Sequence, residues 1–493
     1  MISTTRHIAA RLALLSRHLP LLFVLATAPV LVMFAFTTPT GEVPDEVAHI
    51  VRADSVRLGQ LSGFRRLRTD PQFAGRMDVV VRGDFHLFEA GFELSGRSLA
   101  EKQLTRARLQ ELLDKQWSKP LAEISVVNTG VYPPFLYAPA ALGLQVTKWL
   151  GRGPFTAIIV ARLANVLAYL VIGSVAIRLA ERGQTALFAL LCLPMSLFLA
   201  ASVNQDSIAI ACAALAGALL TRRTRRSWWA GVGVLSLVCM AKPYLLPLAL
   251  IVPATMPPAS ILRTGARDGL TAWAGLVAAT APAVLWGLAM ARFVAAPFIR
   301  GAQPAGPLWT GAPGTIFDST DAGEQLRILL AVPSRLLSLP LTAMWDQGTV
   351  HWHAFIGTLG LLDIHLSNDF YRIWGWVLLA SLLAGFVGAR RPLEQAPVLP
   401  ALTALYGAIL SVWLVYILQF LSWTRVGEAV IEGVQGRYFI PIAAIAVPVA
   451  TLPLLRLSAG PVVRTALTLP VVALATGGVA LLPLLTLAAY YVR

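Results

Sequence analysis

The chain has 493 residues, 57% of them hydrophobic and 13% charged, with a mean hydropathy of +0.69. Such a composition excludes both an ordinary soluble domain and a disordered polymer, and it marks an integral membrane protein. The net charge of +15 does not call for a nucleic-acid partner, because most arginines sit in short loops between apolar runs, where they orient helices and meet anionic headgroups.

Arg6, Arg11 and Arg17 precede an apolar run from Pro20 to Phe36 that reads as an uncleaved signal anchor. Further apolar segments follow at 156–178, 185–203, 206–221, 228–240, 243–257, 270–290, 371–389, 399–420, 438–456 and 464–490. Two stretches, 132–150 and 326–345, are apolar but broken by Pro133, Pro134 and Pro139 in the first and by Pro333 and Pro340 in the second. If neither crosses alone and the N-terminus is cytoplasmic, one set of arginines falls inside: Arg178, Arg182, Arg222, Arg223, Arg225, Arg226, Arg263, Arg267, Arg390, Arg391, Arg456 and Arg464. The expected fold is therefore an all-α integral membrane bundle of about 11–13 transmembrane helices. Its parts are a first helix within 1–37, an outer loop with juxtamembrane or re-entrant helices at 38–155, helices at 156–292, a second outer segment with a re-entrant candidate at 293–370, and C-terminal helices at 371–493. The polar segment contains a helical apolar pattern from Leu99 to Trp117. Cys192, Cys212 and Cys239 lie far apart inside apolar segments and show no disulfide or metal spacing.

This topology gathers the polar residues that are hardest to explain onto the outer face. Pro44-Asp45-Glu46 with His49 comes first, His49 standing four residues after one carboxylate and three after the other. Carboxylates there suit proton abstraction from a hydroxyl, or, with Asp206, a divalent cation such as Mg or Mn. The same residues also make an ordinary helix start. Tyr132-Pro-Pro-Phe-Leu-Tyr137 suits a groove wall for a lipid chain or an aromatic belt. Asn204-Gln205-Asp206 is a second carboxylate or a polar turn. Lys242 is a phosphate contact or a snorkelling ammonium. Arg437, before Tyr438 in a glycine-bearing loop, offers a fork of donors matched to phosphate. His351, His353, Asp363 and His365 lack the spacing of a zinc site.

Six segments in this order, Pro44-Asp-Glu-Val-Ala-His49, Tyr132–Tyr137, Ser202–Asp206, Ala241-Lys-Pro243, Phe355–Asp363 and Val434–Phe439, carry a resemblance to the bacterial polytopic membrane proteins of domain-of-unknown-function family 2142. Leu361 stands where the family's loop motif leads one to expect an aromatic residue. That family looks like a branch of the GT-C superfamily of integral membrane glycosyltransferases. The resemblance implies a polyprenyl-phosphate-linked sugar as donor, a glycan or glycolipid acceptor, and a site on the periplasmic face of the inner membrane among membrane lipids. Asp45 and Glu46 match the catalytic acidic pair, with Asp45 as base, and Asp206 matches the second acid. His49, Tyr132, Tyr137, Lys242, Asp363, Arg437 and Tyr438 are then substrate-binding candidates, with Lys242 and Arg437 on the lipid phosphate. A transporter or flippase for a lipid-linked or anionic substrate is the alternative class. It would favour charges at mid-bilayer and inverted repeats, and the sequence shows no such repeat.

Overall fold

The computed structural model describes residues 2–69, 74–93, 105–257, 266–389, 398–451, 455–457 and 460–491. Arg263, Arg390, Arg391 and the first residues of the expected Leu99–Trp117 helix lie outside them; the helix that is described there runs Arg106–Asp114.

Helices dominate, as apolar runs of this length dictate. A chain in hydrocarbon must satisfy every backbone N–H and C=O internally. Among the described residues five helices are long and apolar enough to cross a membrane: Arg17–Thr37, Pro154–Leu179, Asp268–Phe293, Leu399–Ser422 and Val463–Tyr491. A sixth candidate is the pair Ala322–Ala331 and Arg335–Ile356, bent by 106°, which is how the doubtful stretch 326–345 resolves. The expected crossing 371–389 is an unbroken 19-residue helix, Asn368–Phe386, outside that set of five, and the rest are shorter or broken. Gln205–Leu220 has 16 residues, reaching about 24 Å where hydrocarbon spans about 30 Å. Segment 185–203 breaks at Pro194 into Gln184–Leu191 and Pro194–Ala200. Segment 243–257 is a 3-10 stretch, Pro243–Leu250, running into Ile251–Thr255. Proline removes a helical donor and clashes with the preceding turn, so the apolar pattern overestimates helix length at these places. Segment 132–150 is a 3-10 turn, Pro134–Tyr137, followed by a 12-residue helix, Ala138–Trp149.

Hydrogen bonds and ion pairs fix which helix ends lie together. At one end Arg222 donates to the Leu179 carbonyl, the Glu181 N–H donates to Thr221 Oγ1, Arg225 pairs with Asp268, and the hydroxyls of Thr185 and Thr468 meet. At the other end Arg162 reaches the carbonyls of Ala35, Thr38 and Pro39, and Asn204 and Arg437 both reach that of Pro44. Tyr490 and Tyr491 donate there to the carbonyls of Glu42 and Thr37. The bundle thus has an arginine-bearing end and an opposite end where the polar motifs collect. Between them, small residues let helices approach closely. A Cβ on Gly217 would lie 2.7 Å from the Ala444 carbonyl oxygen.

Three short strands, absent from the sequence reading, add to the polar end. They are β1 (Phe64–Leu67), β2 (Met77–Gly83) and β3 (Ala122–Ser125), paired antiparallel in the order β1-β2-β3. Val81, Ile124 and Val126 bury one face of this sheet with Val51 of the Glu46–Arg57 helix. Arg65 ties the sheet to the bundle by donating to the carbonyls of Ala291 and Ala295, at the C-terminal end of the Ala266–Phe293 helix, where carbonyls lack helical partners.

Candidate functional site

Three chain reversals at the polar end build the site: the Pro44–Glu46 turn, the Asn204 cap and the Gly436–Tyr438 turn. Asp45 precedes the Glu46–Arg57 helix in the left-handed conformation, φ 64°, and makes no side-chain capping bond. A non-glycine residue there is strained, and such strain concentrates at functional positions. Asn204 caps Gln205–Leu220 by accepting from the Asp206 N–H at 2.7 Å, and its side-chain amide donates to the Pro44 carbonyl at 3.2 Å. Gly436 packs so closely on the Arg335–Ile356 helix that a Cβ would overlap the backbone at His351 and Phe355. That contact sets where the next residue, Arg437, emerges.

Arg437 is the hub. Its Nη2 donates to Asp45 Oδ2 at 2.6 Å, its Nη1 donates to the Pro44 carbonyl at 3.4 Å, and its Nε lies 3.6 Å from Asp206 Oδ2 without a hydrogen-bond partner. The guanidinium is buried, whereas the Asp45 side chain is 39% exposed. Asn128 adds a long 3.3 Å bond to Asp45 Oδ1. Lys242 places its ammonium 2.5 Å from Asp206 Oδ1, both groups buried. The rings of Tyr132 and Tyr438 lie 5.1 Å and 6.0 Å from that ammonium, a cation–π setting that favours the charge where water is scarce. His49 stacks on Tyr132 and shares a 2.7 Å hydrogen bond between its Nδ1 and the Tyr137 hydroxyl. Burial pushes the His49 pKa down to about 4 against the opposing pull of Asp206 and Asp45, so the imidazole is neutral at pH 7. Burial would raise the Asp45 pKa, but the Arg437 guanidinium, by its charge and its hydrogen bond, outweighs it and holds the carboxyl below its ordinary value.

The structure thus brings Asp45, His49, Tyr132, Asp206, Lys242, Arg437 and Tyr438 together, with Tyr137 behind them as the partner of His49. Two residues need correction. Glu46, expected beside Asp45 as a catalytic carboxylate, is fully buried and faces the other way. Its Oε1 accepts from Arg162 Nε at 2.8 Å and the Val203 N–H at 3.0 Å; its Oε2 accepts from Arg162 Nη2 at 2.6 Å and the Gly41 N–H at 3.1 Å. Four donors saturate a carboxylate, which leaves no oxygen for a proton or a substrate. Asp363 sits exposed on the turn between the paired Thr358–Leu359 and Ile364–His365 segments, and no described contact joins it to the cluster. The suggested cation ligands Asp45, Glu46 and Asp206 do not converge either. Glu46 is turned away, the Arg437 guanidinium lies between the other two, and no group of three or more His, Cys, Asp or Glu among the described residues could hold a metal ion.

Arg162 escaped the sequence reading. Its signal was available: an arginine in the interior of the apolar run 156–178, away from the Arg178 at its end, is costly without a partner, and the partner is Glu46.

Fold and site together define a polytopic, all-α membrane protein with a buried cluster of charges at one end of its bundle. The chain belongs to the family described as "Predicted membrane protein (DUF2142)", which matches residues 29–446. No curated protein and no solved structure matches it.

Proposed function

We propose that this protein is a GT-C-like glycosyltransferase of the bacterial inner membrane. In this reading it moves a sugar from a polyprenyl-phosphate donor to a hydroxyl of a cell-envelope glycan or glycolipid, on the periplasmic face. The observation that supports this most is the asymmetry of the cluster: a partly exposed carboxylate, Asp45, is held in a strained conformation beside a buried guanidinium and a buried ammonium. Attack on a sugar phosphate needs a base facing solvent and fixed positive charge where the leaving group develops negative charge.

Asp45 takes the proton of the acceptor hydroxyl as its oxygen attacks the anomeric carbon. The bond between that carbon and the phosphate oxygen breaks, its electron pair leaves with the polyprenyl phosphate, and configuration inverts. Arg437 and Lys242 stabilise the phosphate as its charge grows from one to about two. Asp206 keeps Lys242 in place, and the Glu46–Arg162 pair fixes the turn that carries Asp45.

The test compares wild type with Asp45→Asn in a host lacking its own copy, reading surface glycans and glycolipids by mass spectrometry. Asn tolerates the left-handed region, so the variant is expected to fold. A sugar added by wild type should fall by about 10²-fold or more in the variant. Identical glycans from both at equal expression would overturn the role of Asp45 and favour transport of a lipid-linked substrate.

A further inference from the structure

We propose that Asp45 and the phosphate of the lipid substrate compete for Arg437, the carboxylate holding the phosphate's place until the substrate seats. The inference rests on the transferase reading only in naming the ligand, a phosphate on a polyprenyl chain.

The geometry of the two cations carries it. Lys242 pairs with one carboxylate: its ammonium forms an ion pair with Asp206 at 2.5 Å, buried, and is flanked by Tyr132 and Tyr438. Arg437 is shared between two. A guanidinium grips two oxygens of one phosphate along an edge such as that formed by Nε and Nη2. Here that edge is divided between two carboxylates, Nη2 on Asp45 at 2.6 Å and Nε at 3.6 Å from Asp206 with no hydrogen bond made. A buried donor without a partner is costly, and a two-pronged acceptor would remove that cost.

Asp45 is also the partner best able to leave. Its side chain is 39% exposed, makes no capping bond, and has one other hydrogen bond among the described residues, at 3.3 Å to Asn128. Water can solvate it once the guanidinium turns to phosphate. Charge counting points the same way. Asp45 and Asp206 balance Lys242 and Arg437, so the empty cluster has no cation to spare, and an incoming phosphate gains one only by taking it from a carboxylate. Handing Arg437 over also strips Asp45 of the charge that stabilises its ionised form, which makes it a stronger base when the substrate is present.

The measurement is binding of a short-chain polyprenyl phosphate, carrying no sugar, to the purified full chain in detergent. Wild type, Asp45→Asn, Arg437→Gln and the double variant are compared. Asp45→Asn is expected to bind about tenfold more tightly than wild type, because the competitor is gone. Arg437→Gln is expected to bind about tenfold more weakly or worse, and adding Asp45→Asn to it should restore little. Should Arg437→Gln fail to fold, Arg437→Lys keeps the charge without the fork and should likewise lose the gain from Asp45→Asn. Equal or weaker binding by Asp45→Asn, an equal gain whether or not Arg437 is present, or no binding by wild type would overturn the proposal. No turnover is measured, so competition for phosphate with unchanged surface glycans would sink the transferase reading and leave this inference standing.

Discussion

Asp45 and Glu46 are neighbours in sequence, and each faces an arginine, yet the two ion pairs are built in opposite ways. The Glu46–Arg162 pair is fully buried and doubly bonded, and every remaining lone pair of the carboxylate is met by a backbone N–H. The Asp45–Arg437 pair has one short bond, an exposed carboxylate and an unpartnered guanidinium nitrogen. Burying charge costs free energy that only complete hydrogen bonding offsets, so the first pair has the build of an anchor. The incomplete pair leaves bonding capacity that a ligand can use. Saturation, rather than charge or proximity, separates a structural carboxylate from one available for chemistry.

The largest expected effect breaks the anchor. Arg162→Ala leaves Glu46 buried with two backbone donors and no counter-charge, at a cost of about 3–5 kcal/mol. Asp45→Asn at the open pair keeps an oxygen that can accept from Arg437 and should cost less, about 1–2 kcal/mol. Thermal unfolding of both variants in detergent measures the contrast, and equal losses would erase the distinction between the pairs. A smaller effect tests the scaffold of the open pair without touching its charges. In Gly436→Ala the added methyl overlaps the backbone at His351 and Phe355, which should cost about 1–3 kcal/mol and displace Arg437. The expected readout is weaker polyprenyl phosphate binding with Arg437 and Asp45 both intact. Unchanged binding would show that the turn does not set the position of the guanidinium.

A further effect concerns pH. Because the His49 pKa drops from 6.5 to about 4 on folding, the unfolded chain takes up the proton first as pH falls. The stability attached to neutral His49 is complete above pH 6.5 and is lost between there and about pH 4. Asp45, lowered from 3.8, loses its share only below that range. The melting temperature of wild type should therefore decline more steeply from pH 6.5 to 4 than that of His49→Phe, which keeps the ring against Tyr132. Parallel curves would remove His49 as the source.

Much of this was legible in the sequence because membrane insertion is encoded in composition and charge placement. Arg222, Arg225 and their kind mark one end, and Asp45, Asp206, Lys242 and Arg437 stand at the edges of apolar runs where an ionisable group needs a reason. What spacing could not show was direction. Glu46 and His49 share a helix face, but Asp45 sits in the turn before it with φ 64°, so the two carboxylates part company at the point where the pattern groups them. Asp363 belonged to a recognisable segment, yet no described hydrogen bond or ion pair joins it to the cluster from its turn. The strands escaped notice because β1 and β3 have four residues each and β2 is covered on both faces, which removes the alternation that reveals a strand. Prolines such as Pro194 and Pro247 shortened helices that hydropathy alone would extend.

Arg162 also bears on how the protein enters the bilayer. It lies well inside the Pro154–Leu179 helix, and its partners, Glu46 and the carbonyls of Ala35, Thr38 and Pro39, all precede that helix in the chain. A lone arginine costs roughly 2.5–3.5 kcal/mol when such a helix is inserted, and during synthesis every group that relieves this cost has already emerged. The order of the chain therefore presents this arginine with its partners already made, rather than leaving it to wait for them.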